Sequence, residues 1–311
     1  MIKIKLFSSA FLAFVSIGLF AAPTPENPDR LGSQIYVTFD KPQNVSLKEG
    51  VRFNPNCPDP DVKLDVYYPN SRAKVSGPVP CILLIHGGGW SMGNEKKFAM
   101  MAATFASRGY VVACCTYRLL PKYKVEDCAE DAWTALKWLR ENASKFGGDP
   151  SKIGVMGGSA GGHLAALLAS ACDSKICKKV FADGTDPRIQ AAVPMAPVTD
   201  LSVSEIRRFR LFGMGPDAND RARELSPLYW VGKNTAPMRI LHSEGDRTVP
   251  LSHSALMKDA CDKSGVHCEL ITYPSNTHAF WNVSHDDAYR RKSWEDGLAF
   301  FDKILKGVKD D

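Results

Sequence analysis

Gly157-Gly158-Ser159-Ala160-Gly161 sets one hydroxyl among glycines, between the apolar run KIGVM (152–156) and the helix-like run HLAALLAS (163–170). A serine hydroxyl is a poor nucleophile until a neighbouring base takes its proton. On a tight G-x-S-x-G turn from strand to helix the serine backbone is strained, and side chains at the flanking positions would clash. The spacing therefore predicts a nucleophile elbow presenting Ser159. By itself the pentapeptide is a weak signal, because a glycine-rich turn can serve only structure or hold a phosphate. No acidic residue closes a following strand, as a dinucleotide site would require.

The surrounding residues strengthen the signal. CILLIHGGGW (81–90) ends a buried strand in His86-Gly87-Gly88-Gly89-Trp90. A tetrahedral oxyanion is stabilised by backbone N–H donors aimed at it, and glycine lets main chain approach closely. The donors expected are the N–H groups of Gly88, Gly89 and Ala160, the last being the residue after the nucleophile.

A base and an orienting acid must follow. Seven histidines are available. His86 belongs to the glycine run, His163 to the helix after the elbow, His253 to a predicted helix, and His267 to a strand entrance. His278 differs, since CELITYPSNTHAFW (268–281) reads as a strand and then a short loop that could carry an imidazole over the sheet's carboxyl edge. His285 is the alternative. For the acid, RILHSEGDRTVP (239–250) supplies Glu244 and Asp246. Asp246, past Gly245 in the turn, is favoured over Glu244. Trp90 and Trp281 are candidates to stack against a bulky substrate.

These residues need a frame that brings them to one edge. Short apolar runs (CILLI, YVVACC, KIGVM, QAAVPM, RILH, CELITY) alternate with longer, often helix-like segments. Such alternation predicts an α/β protein with a largely parallel sheet covered by helices on both faces. IYVTFD (35–40) and VKLDVYYP (62–69) read as earlier, antiparallel strands. The clearest helix spans about 126–142, where Val125, Ala129, Ala132, Leu136 and Leu139 form one stripe; Gly147 and Gly148 end it, and Asp149-Pro150 turns into the next strand. The stretch 200–237 is the one long irregular insertion, read as a small cap.

At 311 residues, 44% hydrophobic and 23% charged, the composition is ordinary for a globular chain. Two early lysines, an apolar run over residues 6–22 and a proline-rich polar stretch give the layout of a secretory signal peptide, 1–22, ahead of a single catalytic domain, 23–311. The run is short for a bilayer span, so export without stable membrane insertion, to the periplasm or outside, is the expectation. The net charge of +5 is not gathered into a basic run with interleaved aromatics, which argues against nucleic acid. Of nine cysteines, the pairs Cys172/Cys177 and Cys261/Cys268 are the better bridge candidates. No Cys-x-x-Cys or His-x-x-x-His spacing suggests zinc.

Together the stretches LDVYYP, HGGGW, TYRL, the long run from EDAWTALKW to GGSAGGHLA, HSEGDRTVP and YPSNTHAFW resemble the α/β-hydrolase superfamily, in its esterase/lipase branch, over about 63–306. The nearest likeness is to bacterial feruloyl and acetyl-xylan esterases, with hormone-sensitive-lipase-like carboxylesterases further off. That group usually has Gly-Asp-Ser-Ala-Gly where this chain has Gly158, and usually carries an N-terminal helical cap that is not evident here. The resemblance implies an eight-stranded, mostly parallel sheet, a Ser159–His278–Asp246 triad, an acyl-enzyme mechanism and no cofactor. The substrate expected is a small-molecule or oligosaccharide ester, in particular an acetyl or feruloyl ester of a xylan-type glycan. A general short-chain carboxylesterase, an arylformamidase or peptidase of the same fold, and a silent binding protein are the alternatives.

Overall fold

A computed structural model describes residues 3–4, 37–203, 211–282 and 288–309. The expected signal peptide lies outside them, residues 3–4 excepted, as does His285. Eight strands form the main sheet: β1 Val45–Val51, β2 Leu64–Pro69, β3 Val79–Ile85, β4 Val111–Cys115, β5 Gly148–Gly158, β6 Ala191–Met195, β7 Met238–Ser243 and β8 Cys268–Tyr273. Their order across the sheet is β8-β7-β6-β5-β3-β4-β2-β1. The six strands from β3 to β8 run parallel, and β2 and β1 are added antiparallel at one edge.

Strands buried on both faces read as continuous apolar runs, which is why the parallel six were legible. In β3 every residue is buried, with Cys81, Leu83 and Ile85 turned to one core and Ile82 and Leu84 to the other. Around the sheet lie α1 Ala99–Ser107, α2 Val125–Asn142, α3 Ala160–Ser170, α4 Lys175–Val180, α5 Ala218–Glu224, α6 Ser252–Lys263 and α7 Tyr289–Lys306. Side chains of α2, α3 and α6 build the first core, and those of α1 and α7 the second. No helix among the described residues is long and apolar enough to cross a membrane.

The stripe Val125, Ala129, Ala132, Leu136 and Leu139 is fully buried on α2. The Asp127 carboxylate accepts the Lys124 backbone N–H at 2.8 Å and starts that helix. A 3-10 turn, Ala143–Phe146, follows it, and Gly147 at φ +79° closes the turn in a left-handed conformation that suits glycine. Every residue of α3 is buried, as expected of a helix apolar on all sides.

The main sheet begins at β1, in VSLKEGV, a segment that carries no strand signal in the sequence, while IYVTFD supplies Val37–Thr38, which pairs antiparallel with Lys3–Ile4 outside that sheet. As an edge strand β1 buries only Val45, so its sequence carries no apolar run. The strand before the elbow also starts earlier than expected, at Gly148. Asp149-Pro150 lies within it as an irregularity, where pairing with β3 jumps from Val79↔Gly148 to Cys81↔Ile153. The described cysteines are all thiols, including both candidate pairs. The interaction of the Cys261 and Cys268 thiols lowers the pKa of the former from its ordinary value, and that interaction together with burial pushes that of the latter up.

Candidate active site

Ser159 follows the last residue of β5 and precedes the first of α3, with φ +57° and ψ −118°. L-residues rarely adopt this region, and the neighbouring glycines make it possible. A methyl at Gly161 would collide with the carbonyls of Ile85 and His86, one at Gly157 with the Gly161 carbonyl, and one at Gly162 with the Met195 carbonyl at 2.6 Å. Main chain therefore packs on main chain around the turn. The Ser159 N–H donates to Met195 O at 2.9 Å, and the His163 N–H donates to Ser159 O at 2.8 Å.

The other two predicted residues arrive on the loops after β7 and β8. Ser159 Oγ lies 2.8 Å from His278 Nε2, and His278 Nδ1 lies 2.6 Å from Asp246 Oδ2. With Nδ1–H donating to the carboxylate, Nε2 is left as the acceptor for the serine proton. The two loops are locked to each other. Ser243 Oγ donates to Thr277 O at 2.5 Å, and the Gly245 N–H to Ser275 O at 2.9 Å. Any side chain at Gly245 would strike Asn276.

Asp246 is buried, and desolvation alone would raise its pKa. Hydrogen bonds from His242, His278 and the Val249 N–H outweigh that, so its carboxyl is held well below the ordinary value. Asp246 Oδ1 also accepts the Thr248 N–H at 2.8 Å. Glu244, the rejected acid, is exposed and accepts from Thr272 Oγ1.

Sequence reasoning gave His242 no role, yet its Nε2 stands 3.4 Å from Asp246 Oδ2 and donates to Val249 O at 2.9 Å, while Ser254 Oγ donates to Nδ1 at 2.6 Å. The acid thus lies between two imidazoles. Only the four-residue spacing His242…Asp246 in one strand-loop segment could have hinted at it.

On the oxyanion side, Gly88 (φ +132°) and Gly89 (φ +59°) follow β3 in backbone conformations that favour glycine. Their N–H groups are taken by no described acceptor. Ala160 opens α3, where the first N–H groups have no partner within the helix. His86 stacks on Tyr117 with ring centroids 4.3 Å apart, and burial pushes its pKa down to about 3, so it is a neutral support under the glycine run.

The two tryptophans are not where a substrate could stack on them. Trp90 is 3% exposed and donates from Nε1 to His163 Nδ1 at 3.2 Å. Trp281 is 2% exposed, and its indole occupies the space a Gly158 side chain would need. A side chain there, such as the aspartate of the resembling group, would collide with that indole. His163 is buried with both ring nitrogens engaged, Nε2 donating to Leu225 O at 2.6 Å, and burial lowers its pKa to about 4. It ties the oxyanion loop, the nucleophile helix and the end of α5 in the insertion.

A doubly covered parallel sheet with a serine elbow after β5, and an acid and a histidine on later loops, defines an α/β-hydrolase of the esterase/lipase class. Two family models match, BD-FAE over residues 64–261 and the dienelactone hydrolase family over residues 223–306, and the chain belongs to the BD-FAE family. Among solved structures, Thermogutta terrifontis esterase 2 phosphoramylated by tabun is 30% identical, covering 84% of this chain and 95% of that one at a TM-score of 0.70. Among curated proteins, the isoprenylcysteine alpha-carbonyl methylesterase ICME of Arabidopsis thaliana is 28% identical over 70% of this chain and 54% of its own. The esterase LipQ of Mycobacterium tuberculosis is 29% identical over 65% and 50%. The chain thus spans about half the length of these curated relatives.

Proposed function

We propose that this protein is a serine carboxylic-ester hydrolase acting through an acyl-enzyme. The observation that carries the reading is the unbroken hydrogen-bond line from Ser159 through His278 to Asp246 at the end of the elbow. As Ser159 Oγ adds to the ester carbonyl carbon, His278 Nε2 takes its proton, and the carbonyl electrons move onto oxygen beside the N–H groups of Gly88, Gly89 and Ala160. The electrons return, the C–O bond to the alcohol breaks, and the imidazolium protonates the departing alkoxide. Water then attacks the acyl-serine with His278 again as base, releasing the acid. Asp246 fixes the tautomer and stabilises the imidazolium throughout.

Fluorophosphonate labelling and hydrolysis of p-nitrophenyl esters, both lost in Ser159→Ala, are the test; a folded protein whose serine is never labelled sinks the proposal.

For the substrate we propose an acylated carbohydrate met after export, supported by the leader-like N-terminal pattern and the likeness to feruloyl and acetyl-xylan esterases. The buried tryptophans withdraw the stacking argument from that reading. A short-chain carboxylesterase is the second reading, favoured because solved forms of the Thermogutta enzyme carry propionate and butyrate. Acetylated and feruloylated oligosaccharides assayed beside p-nitrophenyl acetate, propionate and butyrate separate the two. Turnover of the simple esters alone removes the carbohydrate.

A further inference from the structure

On the face of the sheet covered by α1 and α7, these two helices leave a crevice of about 290 Å³ between them. The first contributes Met100, Thr104 and Phe105, with Arg108 just past its end, and the second contributes Arg291, Trp294 and Leu298. Phe105 and Leu298 are buried, and Met100 and Trp294 are half-buried, so the lining below is apolar. Arg108 and Arg291 are exposed at the rim and form no ion pair with a carboxylate among the described residues. Arg290 also lines the crevice but has a partner of its own, and Glu295 is its one acid.

We propose that this crevice is a binding site for a monocarboxylate with an apolar body, of the aryl- or alkylcarboxylate class. A guanidinium grips a carboxylate through two parallel N–H donors, so two uncompensated arginines fit that head group. A bare anion would leave the apolar lining unused, and a neutral apolar molecule would leave the cations unanswered. The Trp294 Nε1–H is already committed to Trp281 O at 2.9 Å, so the indole offers the ligand its ring and not its donor. The volume suits a small ligand. Neither the residues nor the ligand class depends on the ester-hydrolase reading.

The test is calorimetric titration of 3-phenylpropanoate into the full chain carrying Ser159→Ala, and into the wild type after phosphonylation of Ser159. The expected result is one site of equal affinity in both. Arg108→Gln and Arg291→Gln should each weaken it by roughly tenfold or more. Both arginines are exposed, so the variants keep the fold, which circular dichroism checks. 3-Phenylpropan-1-ol and inorganic phosphate should each bind at least about tenfold more weakly than the acid. Absence of binding, affinity unchanged in the double arginine variant, or loss of binding on phosphonylation would each overturn the proposal. So would an alcohol or a phosphate that binds as tightly as the acid.

Discussion

Ser159 and His278 are 119 positions apart and His278 and Asp246 32, yet their reactive atoms meet within 2.8 and 2.6 Å. Ser159→Ala should lower kcat by at least about four orders of magnitude, and Asp246→Asn by about the same factor at neutral pH because the wrong tautomer is favoured. Steady-state ester hydrolysis checks both. His242→Phe leaves the triad atoms in place but removes one imidazole from Asp246. Its expected mark is an upward move of the acid limb of the kcat/KM profile against pH, with ester turnover retained at neutral pH. Residue types and spacing made Ser159, Asp246 and His278 legible, since elbow glycines and loop positions leave a local trace. His242 and the inward-turned tryptophans were not legible, because which way a side chain faces depends on what packs against it from distant segments. Gly158 shows this. Gly158→Ala should cost about 1–3 kcal/mol by overpacking against Trp281. Trp281→Leu should make the paired loss smaller than the sum of the singles, measured by urea melts.

At the scale of elements, the elbow works because β5 and α3 are pinned to both neighbouring strands, while the oxyanion loop is held from the far side. His163 is the link, with Trp90 on one nitrogen and Leu225 on the other. His163→Phe strands a buried carbonyl and a buried indole N–H, at about 1–3 kcal/mol of stability. It should also lower kcat more than it raises KM, because the donors around the oxyanion matter most in the transition state. His163→Gln, which retains a donor and an acceptor, should fall between Phe and wild type; a loss in melting temperature with kcat intact would refute the positioning role. The parallel strands were readable as continuous apolar runs and the amphipathic α2 from its helical period. The edge strand β1 was not, since one buried valine among polar residues leaves no pattern. The long irregularity in β5 was hidden because Asp149-Pro150 has the chemistry of a turn.

Across the whole molecule, two neutral histidines are folded into the interior, with pKa values lowered by burial to about 3 and about 4 from 6.5. The unfolded chain binds protons at both below about pH 6.5 while the folded protein does not, so stability falls with acidification between about pH 6.5 and 4. The slope approaches about 1.4 kcal/mol per pH unit for each group. The depressed Asp246 carboxyl acts in the same sense lower down, adding stability above the ordinary carboxylate range that is lost as pH falls towards its folded value. Urea titrations at pH 7 and pH 5 should show the loss, and His163→Gln should flatten it. Because the nucleophile's seat is peptide backbone pressed against peptide backbone, it offers selection almost no adjustable surface there. Drift and engineering alike must retune selectivity from the periphery, and libraries that diversify the outer loops while sparing positions 157, 161 and 162 should keep their reactive serine intact.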